Sequence, residues 1–392
     1  MLAIHGGEPV REDYLDYGKQ WIDDDDIESV LKTLKSSMLT QGPMVEAFER
    51  KVANYVGAKY AVAFSNGTAA LHGAYYAAGV GYGDEVITTP ITFVATSNCA
   101  LYLGAKPVFA DIDTATYNLD PTRVEKLITE RTKAIVPVDF TGQPADYEAF
   151  RKLADENNIV LIGDGAHSFG ASFKGQRVGV QADMTMFSFH PVKPITTGEG
   201  GMIVTNSAEY YEKLRLFRSH GITKGNIRES EGPWYYEMVD LGMNYRMTDV
   251  QASLGFSQID KLEMFIERRR EIAARYTAAF SKEETLVTPV QFQSSSSGWH
   301  LYMLRLVLDQ LTVDRKGIFE ALRAENIGVH VHYIPVHTQP YYQQLGYQKG
   351  ICPIAEKWYE EVITLPIFPK MNERDIDDVI CAVLKVVNAF KK

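Results

Sequence analysis

Apolar positions along the chain follow two periods. Short apolar runs read as strands, and they alternate with segments whose apolar residues recur every third or fourth position, as on one helix face. Tyr60–Phe64 predicts a strand, Gly67–Ala78 a helix of small residues, Glu85–Thr88 a strand and Ala95–Leu103 a helix. The rhythm continues through Pro107–Ala110 (strand), Pro121–Glu130 (helix), Ala134–Val138 (strand) and Ala145–Asn157 (helix). Ile159–Gly163 and Met184–Phe189 add further strands. Such alternation indicates a mostly parallel sheet covered by helices on both faces.

The flanking segments read differently. Asp23 to Asp26, followed by Ile27, Val30, Leu31 and Leu34, predict a helix with acids at its positive end. Val45, Phe48, Val52 and Tyr55 give the next helix its stripe. Thr248 and Gln251 have capping-box spacing, which predicts one long helix whose face continues through Ile259, Leu262, Ile266, Ala273, Tyr276 and Phe280. After a serine-rich loop at 293–298, Leu301–Leu308 (strand), Arg315–Glu325 (helix), Val329–Tyr333 (strand) and Asp375–Phe390 (helix) suggest a smaller α+β unit. The expected division is a large domain over residues 1–250, then a bridging helix and small C-terminal domain over 251–392. Thr223–Trp234 reads as a loop, and Arg268-Arg269-Arg270 as a solvated helix face.

Composition narrows the class. With 45% hydrophobic and 23% charged residues, the chain fits a globular α/β protein of 392 residues. No apolar run is long enough to span a bilayer, and the start lacks the pattern of a signal peptide. Cys99, Cys352 and Cys381 are odd in number and far apart, as expected of free thiols in the cytoplasm. A formal charge of −10 argues against nonspecific nucleic-acid binding.

Three features could carry chemistry. Lys193 lies in a glycine-rich turn between the apolar segments Asp183–Phe189 and Met202–Thr205, where desolvation would free a nucleophilic amine. Asp164 follows the strand Val160–Gly163, at the end from which α/β sheets present ligand-binding groups. Its carboxylate could keep a ring nitrogen protonated, and His167 could reach the same ring. Ser65-Asn66-Gly67-Thr68 opens a helix after a strand, and its free amides would attract a phosphate. Alone, each also fits a bland role: a loop lysine, a turn aspartate, a capped helix. Phe93 could stack on a flat ligand or sit in the core. His330, His332 and His337 lack acidic or thiol partners at metal-ligand spacing. An aldehyde-trapping lysine, a ring-nitrogen carboxylate and a phosphate cradle are together the needs of pyridoxal 5'-phosphate.

The chain also resembles the nucleotide-sugar aminotransferases of the DegT/DnrJ/EryC1/StrS group, from about Asp23 to the C-terminal helix. The resemblance is carried by Leu39–Pro43, Asn66–Leu71, Gly83–Ile87, Gly104–Phe109, Gly198–Gly201, Leu241–Thr248 and Tyr333–His337. It implies the aspartate-aminotransferase-like fold, fold type I of pyridoxal-phosphate enzymes, and a homodimer with shared sites. It also implies residue roles. Lys193 matches the lysine that bonds to the cofactor aldehyde, and Asp164 the partner of the pyridine nitrogen. His167 stands where many members carry glutamine, and Phe93 would stack on the ring. Gly67, Thr68 and Ser188 would hold the phosphate, with Asn244 reaching that of the neighbouring subunit. Thr40, Tyr245, Arg246, His332 and His337 are candidate substrate contacts. His190–Gly201 is most similar to the enzymes of the pseudaminic acid pathway, which implies L-glutamate as donor and a UDP-linked 4-keto-6-deoxy-N-acetyl-hexosamine as acceptor. Other nucleotide 4-keto sugars, D-configured or pentose, stay open. So do a dehydratase of the same group, which would carry histidine for the lysine, and a noncatalytic binding protein.

Overall fold

The computed structural model describes residues 1–223 and 232–392. Most of the segment 223–234 read as a loop therefore lies outside the described residues.

Seven strands form the central sheet: β1 (Tyr60–Phe64), β2 (Glu85–Thr88), β3 (Lys106–Phe109), β4 (Thr132–Val136), β5 (Val160–Asp164), β6 (Met184–Ser188) and β7 (Gly201–Thr205). Their order is β1-β7-β6-β5-β4-β2-β3. The pairs from β3 across to β6 are parallel, and β7 runs antiparallel to both its neighbours. Strands β2, β6 and β7 are buried along their whole length, as expected of a sheet with helices on both faces.

Helices pack where small residues let them approach. Helices α1 (Asp24–Leu34) and α2 (Pro43–Val56) precede the sheet, and α1 starts with a complete capping box between Asp23 and Asp26. Helix α3 (Gly67–Ala77) buries Ala69, Ala70, Gly73, Ala74 and Ala77. A methyl group on Gly73 would lie 2.8 Å from the Phe64 ring, so only glycine permits this closeness to β1. Helix α4 (Ala95–Tyr102) carries the segment after β2.

The single helix expected from Thr248 is two: α5 (Asp249–Ile259), opened by the Thr248–Gln251 capping box, and α6 (Leu262–Phe280). The chain turns at Asp260 and Lys261, where the Lys261 ammonium pairs with Asp26, 2.6 Å away. The first part of α6 (Leu262, Phe265, Ile266) packs beside the large sheet with Phe169 and Phe187. Its second part (Ile272, Ala273, Tyr276, Phe280) belongs to the core of the C-terminal unit. Each large side chain so buried contributes roughly 1.5–3 kcal/mol.

That unit holds a second sheet of β8 (Leu286–Val287), β9 (Tyr302–Leu306) and β10 (Val362–Leu365), in the order β8-β9-β10. Helices α7 (Arg315–Ala324) and α8 (Glu373–Phe390) cover it, and Leu2 and Leu15 join the same core. Val329–Tyr333 is not a strand. It meets the free edge of β10 at one point, through a bridge from His330 to Thr364 and a side-chain bond from His332 to the same threonine. Arg269 departs from the solvated-face reading: it is 1% exposed.

Candidate active site

The carboxyl ends of the parallel strands point to one place. Asp164 closes β5, and Ser188 closes β6. Between Ser188 and Gly201 the chain makes a loop whose base is shut by the Phe189 amide donating to the Gly200 carbonyl, and Lys193 lies in it. Asp164 is buried, and both carboxylate oxygens are held. Oδ2 accepts from Thr96 Oγ1 at 2.7 Å, and Oδ1 from the Ala166 amide at 3.1 Å. Burial raises its pKa, while these two donors and the Lys193 charge pull it back.

Lys193 shows the complementary behaviour. Burial of its Nζ brings the amine down to about 8, against the pull of Asp164 and with the help of the Arg269 cation. Around it lie His167, His300 and His332, all buried. Burial keeps the His167 and His300 imidazoles neutral, well below their ordinary pKa, and takes His332 to about 3. His300 Nε2 stands 3.5 Å from Lys193 Nζ, and its ring is 4.5 Å from that of His167. His167 Nε2 meets the Tyr333 hydroxyl at 3.2 Å, while its buried Nδ1 has no protein partner.

The phosphate-type helix start is close by. Asn66 caps α3 by accepting from the Ala69 amide at 2.8 Å. A Cβ on Gly67 would lie 3.2 Å from Ser188 Oγ, which puts the first turn of α3 against the end of β6. A Cβ on Gly201 would lie 2.4 Å from the Asn66 carbonyl oxygen, so glycine alone lets β7 pass under this turn. The half-buried Gly67 and Thr68 carry first-turn amides aimed out of the helix, the usual seat of an anion.

The remaining expected residues divide. Phe93 is 59% exposed with its ring 6.3 Å from Tyr333, so it is not a core aromatic. His332 is near Lys193 and bonds Thr364 Oγ1 at 2.9 Å. His337 is apart from this group: fully buried, it bonds Glu356 at 2.8 Å and packs near Phe109. The Tyr245 hydroxyl is taken by His72 at 3.2 Å and its ring packs near Phe217. His337 is thus closed to a substrate in this arrangement, while Tyr245 remains half-buried. Thr40 and Asn244 are exposed, and Arg246 is half-buried.

Thr96, Tyr333, His300 and Arg269 were not singled out from the sequence. Thr96 lies one helical turn past Phe93. Arg269 had a visible signal, since it falls on the apolar stripe of α6, three residues after Ile266 and four before Ala273.

These groups fit pyridoxal phosphate. His167 Nδ1 is a buried polar atom free to meet a ring oxygen, Asp164 suits a cationic ring nitrogen, and the α3 turn suits a phosphate. Fold and site define a pyridoxal-phosphate-dependent transferase of fold type I. The chain belongs to the DegT/DnrJ/EryC1/StrS aminotransferase family, whose model matches residues 20–384. It is 43% identical to the spore coat polysaccharide biosynthesis protein SpsC of Bacillus subtilis, over 96% of this chain and 98% of that one. It is 38% identical to the UDP-4-amino-4,6-dideoxy-N-acetyl-beta-L-altrosamine transaminase of Campylobacter jejuni strain 81-176, again over 96% and 98%. Among solved structures, Helicobacter pylori PseC, an aminotransferase involved in the biosynthesis of pseudoaminic acid, matches with TM-score 0.91 and 35% identity, over 97% of this chain and all of that one. Spr1654 from Streptococcus pneumoniae in its PLP-form matches with TM-score 0.89 and 30% identity, over 96% and 99%. The chain is therefore a sugar aminotransferase, and its cofactor is pyridoxal phosphate. Among the described residues, no helix is long and apolar enough to cross a membrane.

Proposed function

We propose that this enzyme moves the amino group of L-glutamate to C4 of a UDP-linked 4-keto-6-deoxy-N-acetyl-hexosamine, giving UDP-4-amino-4,6-dideoxy-N-acetyl-β-L-altrosamine. The observation that carries the chemistry is the convergence of two buried groups beyond the carboxyl ends of β5 and β6: the Asp164 carboxylate, held by Thr96 and the Ala166 amide, and the Lys193 amine, drawn down to about 8. The sugar is supported by the transaminase of that name in Campylobacter, which aligns end to end with this chain.

When bound, pyridoxal phosphate supplies an aldehyde that exchanges between amines and a ring that takes up carbanionic charge. This chain's residues do the rest. Lys193 is the amine displaced by glutamate. Freed, it would take the α-proton of the donor onto Nζ as the base and give it up again as the acid. In the second half-reaction it moves a proton in the opposite sense, onto C4 of the sugar. A group acting as both base and acid works best with a pKa near the working pH, which partial drying provides. Asp164, fixed by Thr96 and the Ala166 amide, keeps the ring nitrogen protonated. His167, steadied by Tyr333, donates from Nδ1 to the ring hydroxyl. Gly67, Thr68 and Ser188 hold the phosphate, and exposed Phe93 covers the ring.

Asn244 is exposed on the surface, which suits a role across a homodimer interface at the partner's phosphate. The working compartment is the cytoplasm, where Cys381, exposed and unpaired, stays reduced.

The test is incubation with L-glutamate and a panel of UDP-4-keto sugars, with NMR of the products. Conversion of the L-configured N-acetyl-hexosamine ahead of the others is the expected result. Preference for a D-configured or pentose substrate would overturn the choice of sugar and leave the aminotransferase in place.

A further inference from the structure

Arg269 is the least expected residue in the molecule. A fully buried guanidinium normally faces a carboxylate. Among the described residues no carboxylate pairs with Arg269. Its Nη1 donates instead to three carbonyl oxygens: Ile367 at 2.8 Å, His300 at 3.2 Å and Trp299 at 3.3 Å. Burial brings even this strong base down to about 10.

What the guanidinium holds is a bent piece of chain. Trp299 has φ 45°, a left-handed conformation costly for a bulky residue. Its neighbours are stitched down on the other side, Gly298 to the Gly142 carbonyl and Leu301 to the Thr141 carbonyl. The outcome of this bend is the placement of one side chain. The His300 imidazole is turned into the site, 4.5 Å from the His167 ring and with Nε2 3.5 Å from Lys193 Nζ. Its buried Nδ1 has no protein partner, so the ring is not placed there by a bond of its own to the scaffold.

We propose that His300 is a catalytic contact of the Lys193 amine, and that Arg269 is the positioning residue that keeps it there. The chemistry favours a neutral ring at this spot. Lys193 must stay in place after glutamate has displaced it, and it must stay unprotonated to act as a base. A carboxylate could hold the freed amine but would draw a proton onto it. A neutral imidazole holds the amine without that charge, and the Arg269 cation opposes protonation from behind. Catalytic hydrogen bonds at the long end of the range often shorten as the reaction proceeds.

This inference rests on Lys193 being the amine bonded to the cofactor. That reading is tested separately, by borohydride reduction of the holoenzyme and mass spectrometry of the peptide containing Lys193. No cofactor on that peptide would end both proposals. With the bond confirmed, a double-mutant cycle isolates His300. Retention of pyridoxal phosphate is measured by equilibrium dialysis of holoenzyme for the wild type, His300→Leu, Lys193→Ala and the double variant. We expect His300→Leu to weaken retention about tenfold when Lys193 is present and not at all when it is alanine. His300→Gln, which restores a neutral polar atom, should recover most of the loss. Equal losses in both backgrounds, no loss in either, or no recovery with glutamine would overturn the role of His300. For Arg269, the conservative Arg269→Lys keeps the charge, but its shorter side chain stops short of the position from which Nη1 reaches the three carbonyls. It should weaken retention in the same direction and add nothing to His300→Leu. Losses that simply multiply would show that Arg269 acts elsewhere.

Discussion

The two ends of the cofactor site are built by opposite means. The phosphate end is local: one strand, one turn and the first residues of α3, with Ser188 and Gly201 passing close beneath. The donors proposed for it are largely backbone amides, and the absence of side chains at Gly67 and Gly201 lets the turn close against β6 and β7. The amine end is assembled from distant parts of the chain. Asp164 comes from β5, Thr96 from α4, Lys193 from the loop after β6, Arg269 from α6, and His300 from the bend before β9. There the working property is the proton affinity of one amine, and no local segment determines it. A site can thus bind with its backbone and react with its packing.

Four measurements would break or sharpen this contrast. Lys193→Ala should cost the most, with turnover reduced by a factor on the order of 10⁴ or more, because base and acid are lost together. Turnover near the wild-type level would remove the amine end from the account. Asp164→Asn keeps the shape and removes the charge, and should lower turnover by about 10²–10³ with cofactor retention much less affected. An equal fall in both would mean that Asp164 acts as an anchor, like the phosphate end. The third measurement is the pH dependence of cofactor capture by the stripped enzyme, followed by absorbance. Lys193 has a depressed pKa and reacts as the neutral amine, so capture should slow about tenfold for each unit below pH 8 and level off above it. A limb nearer pH 10 would show an amine in contact with water. Smallest is Ser188→Ala, which should weaken retention about threefold to tenfold and leave the pH limb where it was, since it removes one hydrogen bond at the phosphate end. A moved limb would mean that the two ends are not separate.

The same contrast explains what could be read from the sequence. The parallel sheet, the start of α3 and the positions of Asp164 and Lys193 at strand ends were legible because each leaves a local pattern. The capping box at Thr248 was legible for the same reason. The break at Asp260 and Lys261 was not, because it depends on Asp26, more than two hundred residues away in the chain. Val329–Tyr333 has the composition of a strand, but it pairs with the edge of β10 at His330 and Thr364 alone. Arg268 and Arg270 have the ion pairs of a helix surface, to Glu271 and Glu267. Arg269 between them turns inward, and three arginines in a row conceal that difference from any reading of composition. His300 follows Trp299 in an unremarkable stretch. Only the fold brings it to Lys193.

Helix α6 belongs to both cores. Its first turns are clamped into the wall beside the large sheet, its last turns into the C-terminal core, and Arg269 stands between the two. The guanidinium also grips Ile367, just beyond β10, so it touches the smaller unit directly. A displacement of Ile367 would therefore pull on the same guanidinium that holds the carbonyls of Trp299 and His300. Seating of the smaller unit and placement of that ring thus share one set of hydrogen bonds.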